Sequence, residues 1–369
     1  MSNVTITFRN NENAEFVNTL RKRVKDYFET NRISTHGNAN MVSKTVVMLS
    51  IYFTPYILMI TGVFSNHLLI YLLWFLMSIG MSGIGFAVMH DANHGSYSGK
   101  SKVNFILSYL MNLIGGSTVN WKIQHNMLHH SYTNIDGIDE DIDNGGLMRF
   151  SPNQKRIWIH RFQFIYAWFL YCLLTLNWVL WKDFQQIFHF KKLGLLEKQH
   201  KSMNQVLISL LISKSIYFSY TLIIPLLVLK VPWWEVVLGF VFMHILAGLI
   251  FGCIFQPAHV VTTSAFPIPD AEGTIEQNWA IHQLQTTADY SPKSKLFSWL
   301  IGGLNYQIEH HLFPTICHVH YRKIAKIVRE TTAEFGIPYY VHGSFVKALR
   351  NHFILLKRLG QKNLITSIL

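Results

Sequence analysis

Four stretches of this chain, residues 43–64, 67–89, 211–229 and 235–256, are each long and apolar enough to cross a bilayer core about 30 Å thick. Backbone polar groups inside a membrane must be satisfied within the segment, so such runs fold as helices. They fall into two pairs joined by short turns, which makes each pair a helical hairpin. Composition agrees: 14% of residues are charged and 50% are hydrophobic, against about 25% charged in soluble proteins. The expected fold is an all-α membrane protein. Four transmembrane helices carry a helical cap, with further helices at the membrane interface. Residues 1–42 form an N-terminal helix and linker, 43–340 the membrane domain, and 341–369 a tail.

Two other apolar stretches, 103–116 and 163–181, are short or rich in Trp and Tyr, and aromatic residues of this kind favour the interface. If either crossed, the histidine clusters described below would face opposite compartments. Both are therefore expected to be interfacial or re-entrant. Lys214 interrupts the third run. It is expected near the cytoplasmic interface, where its ammonium can reach water, with 204–214 continuing out of the membrane.

The net charge of +12 is placed unevenly. Seven Lys or Arg precede residue 45, twelve lie in 100–201 and nine follow His311, whereas the turn at 65–66 has none. The positive-inside rule puts both termini on the cytoplasmic side. The charge belongs to loops beside an anionic leaflet, and no motif accompanies it that would indicate nucleic-acid binding. Residues 14–30 form a basic amphipathic helix with Phe16, Val17, Leu20, Val24 and Phe28 on one face. It lies on the membrane surface or packs on the cap. Residues 344–359 form a second such stretch. Cys172, Cys253 and Cys317 are scattered, so neither a disulfide framework nor a thiolate metal site is implied. The N-terminus has no charged-then-apolar leader, so no cleaved signal peptide is expected.

Histidine clusters stand beside the runs. His90 and His94 close the second run. His125, His129 and His130 follow 31 residues on from His94 to His125, and Gln307, His310 and His311 follow the fourth run, after His259. As an α-helix, 125–130 would put His125 and His129 one turn apart on one face and His130 about 100° round. Eight imidazoles and one amide exceed the roughly six positions around one ion, so two ions with open positions are implied. Imidazole suits Fe, Zn, Cu or Ni. Asp91, Asp139, Asp141 and Glu309 are candidates to accept the second N–H of a ligand histidine. The acidic run 139–143 fails as a calcium loop, because Asn144 and Phe150 stand where Gly and Glu are needed. It is otherwise a solvated turn that helps a carrier dock.

The trio His90-Asp91-Ala92-Asn93-His94, His125-Asn126-Met127-Leu128-His129-His130 and Gln307-Ile308-Glu309-His310-His311 resembles the membrane fatty acid desaturases. Gln307, where other branches have histidine, resembles the front-end branch, which adds a double bond between an existing one and the carboxyl end. The resemblance implies a di-iron centre on the seven box histidines and His259, with O₂ as co-substrate. It also implies a fatty acyl substrate on CoA or lipid, held in a bent apolar tunnel. Many eukaryotic relatives carry a fused cytochrome b5 domain with His-Pro-Gly-Gly, which this sequence lacks. Electrons are therefore expected from a separate ferredoxin or cytochrome b5-type carrier. A bacterial inner membrane is the expected setting, with the site facing the cytoplasm. Alternatives are a histidine-box hydroxylase or alkane monooxygenase and, from other classes, a polytopic metal transporter or a haem electron carrier. His244 lies about four turns before His259, too far to share its ion.

Overall fold

A computed structural model of the chain describes residues 6–9, 11–63, 66–143 and 145–362. Phe64, Ser65, Asn144 and the tail beyond Lys362, on which expectations above fall, lie outside the described residues. The fold is helical. Among the described residues the only strands are two-residue pairs, Thr7–Phe8 with Thr274–Ile275 and Asp289–Tyr290 with Val341–His342. The chain folds as two compact units interleaved in sequence. The first comprises Met1–His36, Gln124–Ala167 and Ile254–Leu369; the second comprises Gly37–Ile123 and Trp168–Cys253.

The four expected spans appear as Ala39–Ile60, His67–Asn93, Met203–Val228 and Trp233–His259. All but the end of the last belong to the second unit. Their outer faces carry Val46, Leu72, Ile212 and Leu227, all exposed and all apolar, as lipid contact requires. Close approaches within the unit depend on glycine. A Cβ on Gly80 would lie 2.5 Å from the Tyr52 backbone nitrogen, and one on Gly239 would lie 2.2 Å from the Trp74 indole nitrogen. The 103–116 stretch forms two short helices, Ser101–Ser108 and Leu110–Leu113, too short to cross. The Trp158–Cys172 and Leu174–Lys192 helices break at 56°.

Lys214 departs from expectation. The third helix begins at Met203, in line with the expected continuation over 204–214, but Lys214 does not reach out to water. It is 4% exposed, with Nζ 2.6 Å from Asp183 Oδ2 and 2.6 Å from the Gly115 carbonyl. Asp183 is fully buried, and its backbone carbonyl accepts from Asn120 at 2.8 Å. A buried carboxylate supplies the compensation that the interface was expected to give.

In the first unit, the Ala14–Asn31 helix packs on protein rather than membrane. Its apolar stripe meets Ile281, Tyr306, Ile308, Ile324 and Val328 in one core. It runs antiparallel to the Tyr321–Glu334 helix: Phe16 packs edge-to-face with Phe335 at one end and Phe28 with His320 at the other. Arg23 seals the pair with two bonds to Glu334, at 2.7 and 3.0 Å.

Candidate metal centre

The first histidine cluster follows a widened turn of helix and the second sits on one. Ile84–Met89, just before His90, and Lys122–His129 are π-helical. Such turns hydrogen-bond i to i+5 and recur at functional sites. The widening changes which rings meet. In an α-helix, residues five apart point in different directions; here His125 and His130 face each other, Nε2 to Nε2, at 3.2 Å. His130 Nε2 also lies 3.0 Å from His310 Nε2. Adjacent ligands about 2.1 Å from one ion are about 3 Å apart, so this spacing is that of neighbours around a metal. His129 stays stacked on His125 at 5.3 Å and also joins another group. One ring nitrogen from each of His129, His259 and His311 lies within 4.8 Å of the other two. His130 and His311 stack at 4.3 Å between ring centres and link the two sets.

The second nitrogen of each ring shows what the first is for. His129 Nδ1 lies 3.1 Å from both oxygens of Asp139 and 3.3 Å from Asp141 Oδ2. His311 Nδ1 lies 2.8 Å from Gln283 Oε1, and His259 Nδ1 lies 3.4 Å from the Thr286 carbonyl. His310 Nδ1 lies 3.1 Å from the Tyr321 hydroxyl. Donation from Nδ1 fixes the tautomer and leaves the Nε2 lone pair for an ion. The Nε2 atoms of His259 and His311 are buried with no hydrogen-bond partner. An unsatisfied buried nitrogen costs roughly 1–3 kcal/mol, and a bound ion removes that cost. The donor set therefore fits a metal.

Electrostatics divide the rings. Burial opposes charge on His129, but the carboxylates of Asp139 and Asp141 outweigh it and raise its pKa to about 9. His311 has no such partner. Burial, then the neighbouring imidazoles, push it well below 6.5, so it is neutral.

The remaining candidates are distributed as follows. Asp141 also accepts a bond from Gln124. Gln307 opens the Gln307–Leu312 helix, 1% exposed, its amide oxygen and nitrogen both without a partner. Glu309 turns from the histidines toward Tyr339, whose hydroxyl bridges Glu309 Oε1 at 3.0 Å and Asp289 Oδ2 at 2.6 Å. In the second unit, His90 and His94 lie 4.8 Å apart and both pack edge-on to Trp121. Asp91 Oδ1 lies 3.7 Å from His90 Nδ1. His244 bonds to Tyr217 at 2.7 Å and Thr175 at 3.1 Å.

Sequence comparisons match this arrangement. The model of the fatty acid desaturase family covers residues 66–343. The chain is 36% identical to an sn-1 linoleoyl-lipid 6-desaturase of Arthrospira platensis, over 94% of this chain and 92% of that one. It is 33% identical to the enzyme of the same description in Synechocystis, over 94% and 96%. It is 34% identical to an acyl-lipid (8-3)-desaturase of Physcomitrium patens, over 96% and 74%. This chain belongs to the fatty acid desaturase family.

The desaturase fold also shows residues that pattern reading missed. Gln283 supports His311 from the Trp279–Thr286 helix. The Thr133 hydroxyl lies 2.7 Å from the His129 carbonyl and 2.9 Å from Gln283 Oε1, with one proton to share between them. A lone Gln and a lone Thr carry no spacing signal. Only Tyr321 could have been suspected, as an aromatic close behind the third box. Within the second unit of the desaturase, a small apolar cavity of about 20 Å³ is lined by Met89, Met111, Gly116, Thr175, Val179 and Phe251, among others. Met89 is the residue before His90.

Proposed function

We propose that this desaturase inserts a cis double bond into the acyl chain of a membrane lipid, on the carboxyl side of an existing double bond. The reaction uses O₂, two iron ions, and electrons from a separate ferredoxin or cytochrome b5-type carrier. The observation that carries the reading is the pair of imidazole sets, His129–His259–His311 and His125–His130–His310. His90, His94 and Gln307 are further candidate ligands by the sequence pattern. The lipid-linked substrate and front-end position rest on the relatives, which are described as linoleoyl-lipid and acyl-lipid desaturases.

An alkyl C–H is not acidic, so no side-chain base can start the reaction. When bound, ferrous ions supply the reduction of O₂ that the oxidation requires. The protein's residues do the rest. Asp139, Gln283, Thr286 and Tyr321 hold the ligand rings in one tautomer and orientation. Burial of the His125, His129, His130, His259, His310 and His311 rings to 5% exposure or less excludes water. The acyl chain runs along the apolar lining of Met89, Met111 and Phe251 next to His90, and the length of that path sets which carbons are presented. The basic flanks support a setting at the cytoplasmic face of a bacterial inner membrane.

The test is expression in a host of known lipid composition supplied with linoleate, followed by location of new double bonds. A new bond on the carboxyl side of the existing one is expected. His311→Ala should insert normally in the membrane and make none. Retained activity in that variant would defeat the metal assignment.

A further inference from the structure

The reaction consumes two electrons that the chain cannot store, so a reductant must dock. The acidic run at 139–143 is poorly placed for this, since Asp139 is buried on His129 and Asp141 is engaged by Gln124 and His129. The antiparallel helices Ala14–Asn31 and Tyr321–Glu334 present a different surface. Their outer faces expose Arg21, Lys22, Lys25, Arg322, Lys323, Lys326 and Arg329. Lys22, Lys25 and Lys326 pair with Asp26, Glu29 and Glu330 on their own helices. Arg21, Arg322, Lys323 and Arg329 pair with no carboxylate among the described residues.

Two features select a soluble acidic protein over a lipid surface. Residues 14–31 and 321–334 expose no large apolar side chain among the described residues, whereas a membrane-binding helix needs an apolar face to bury. The Phe345–Leu359 helix and the segment before it in space, by contrast, expose Val346 and Phe353, and Trp158 and Ile165 are likewise exposed. The second feature is position. Tyr321, 1% exposed, begins the basic helix and puts its hydroxyl 3.1 Å from His310 Nδ1. Arg322 and Lys323, both exposed, follow it directly.

We propose that this face docks an acidic one-electron carrier protein, with Tyr321 bridging the docked surface and the His310 ring. The inference rests on the desaturase reading above. The balance is one O₂, two electrons and two protons with the two hydrogens removed from the chain, giving one alkene and two waters. A one-electron carrier must dock twice per double bond. Its complex should accordingly be weak, fast and steered by charge.

The experiment uses full-length protein in nanodiscs with a plant-type [2Fe–2S] ferredoxin as probe. Calorimetric affinity is measured on the protein as purified, independent of turnover. The double reversal R322E/K323E should weaken ferredoxin binding about tenfold or more at low salt, with the difference collapsing near 0.5 M salt. The control K347E/R350E, on the other basic helix, should bind as wild type does. Product formation driven by dithionite tests the desaturase reading by itself: its absence in wild type would overturn that reading and not the docking surface. Equal ferredoxin affinity in R322E/K323E and wild type would overturn the docking proposal. So would unchanged ferredoxin affinity accompanied by a new dependence on anionic lipid, which would mark the face as a lipid contact.

Discussion

One amide oxygen, Oε1 of Gln283, lies 2.8 Å from Nδ1 of His311 and 2.9 Å from the hydroxyl of Thr133. It orients a ring of the proposed metal centre and ties that ring to the helix carrying His129. Loss of such a partner costs about 10–100-fold in metal affinity. Gln283→Leu should therefore lower iron affinity by that factor while the protein still inserts and stays monodisperse. Metal titration followed by elemental analysis would check this. Unchanged affinity would show that Gln283 only packs.

The fold was readable because membrane spans announce themselves by length and apolarity, and the four runs appear as helices within a few residues of their expected ends. The ligand pairing was harder. Reading 125–130 as α-helix couples His125 to His129. These two rings do stack, at 5.3 Å, but the π-helical turn also brings His125 to His130, and His129 also meets His259 and His311. Nothing in residue identity marks a π-helix. Lys214 was misplaced for a related reason: its partner, Asp183, lies 31 residues away in another helix, and a buried ion pair has no local signature.

Lys214→Met leaves Asp183 buried without its cation. Breaking a buried pair this way costs roughly 3–5 kcal/mol. The double variant K214M/D183N removes both charges and should recover part of the loss. Thermal unfolding of the three proteins in one detergent decides the matter. A double variant less stable than the single would contradict the pairing.

The Asp289–Tyr339–Glu309 group gives a pH signature. Burial raises the Asp289 carboxyl from 3.8 to about 6, and burial with Asp289 beside it raises Glu309 well above its ordinary value. The folded protein thus holds a proton on this pair more tightly than the unfolded chain. That contribution is complete below about pH 4 and is lost as pH rises through 6. Asp289→Asn has no charge to bury. Its melting temperature, relative to wild type, should rise between pH 5 and pH 8. A constant difference across that range would contradict the shift.

The cavity beside His90 predicts a change in chain selection. A Cβ at Gly116 would lie 2.2 Å from the Met111 methyl, and Met111 itself lines the cavity. Gly116→Val should push Met111 inward and shorten the space. Products should shift toward shorter acyl chains while metal content stays at the wild-type level. Chain-length profiles by mass spectrometry give the answer, and an unaltered profile would remove the cavity from the substrate path.

The central claim is O₂-dependent desaturation at the histidine centre. The most direct measurement is turnover of iron-loaded protein under ¹⁸O₂, with O₂ uptake, water and acyl product all followed. One O₂ consumed per double bond, label in water alone and an acyl chain lighter by two hydrogens is the predicted result. Label in the acyl chain would identify a hydroxylase and contradict it.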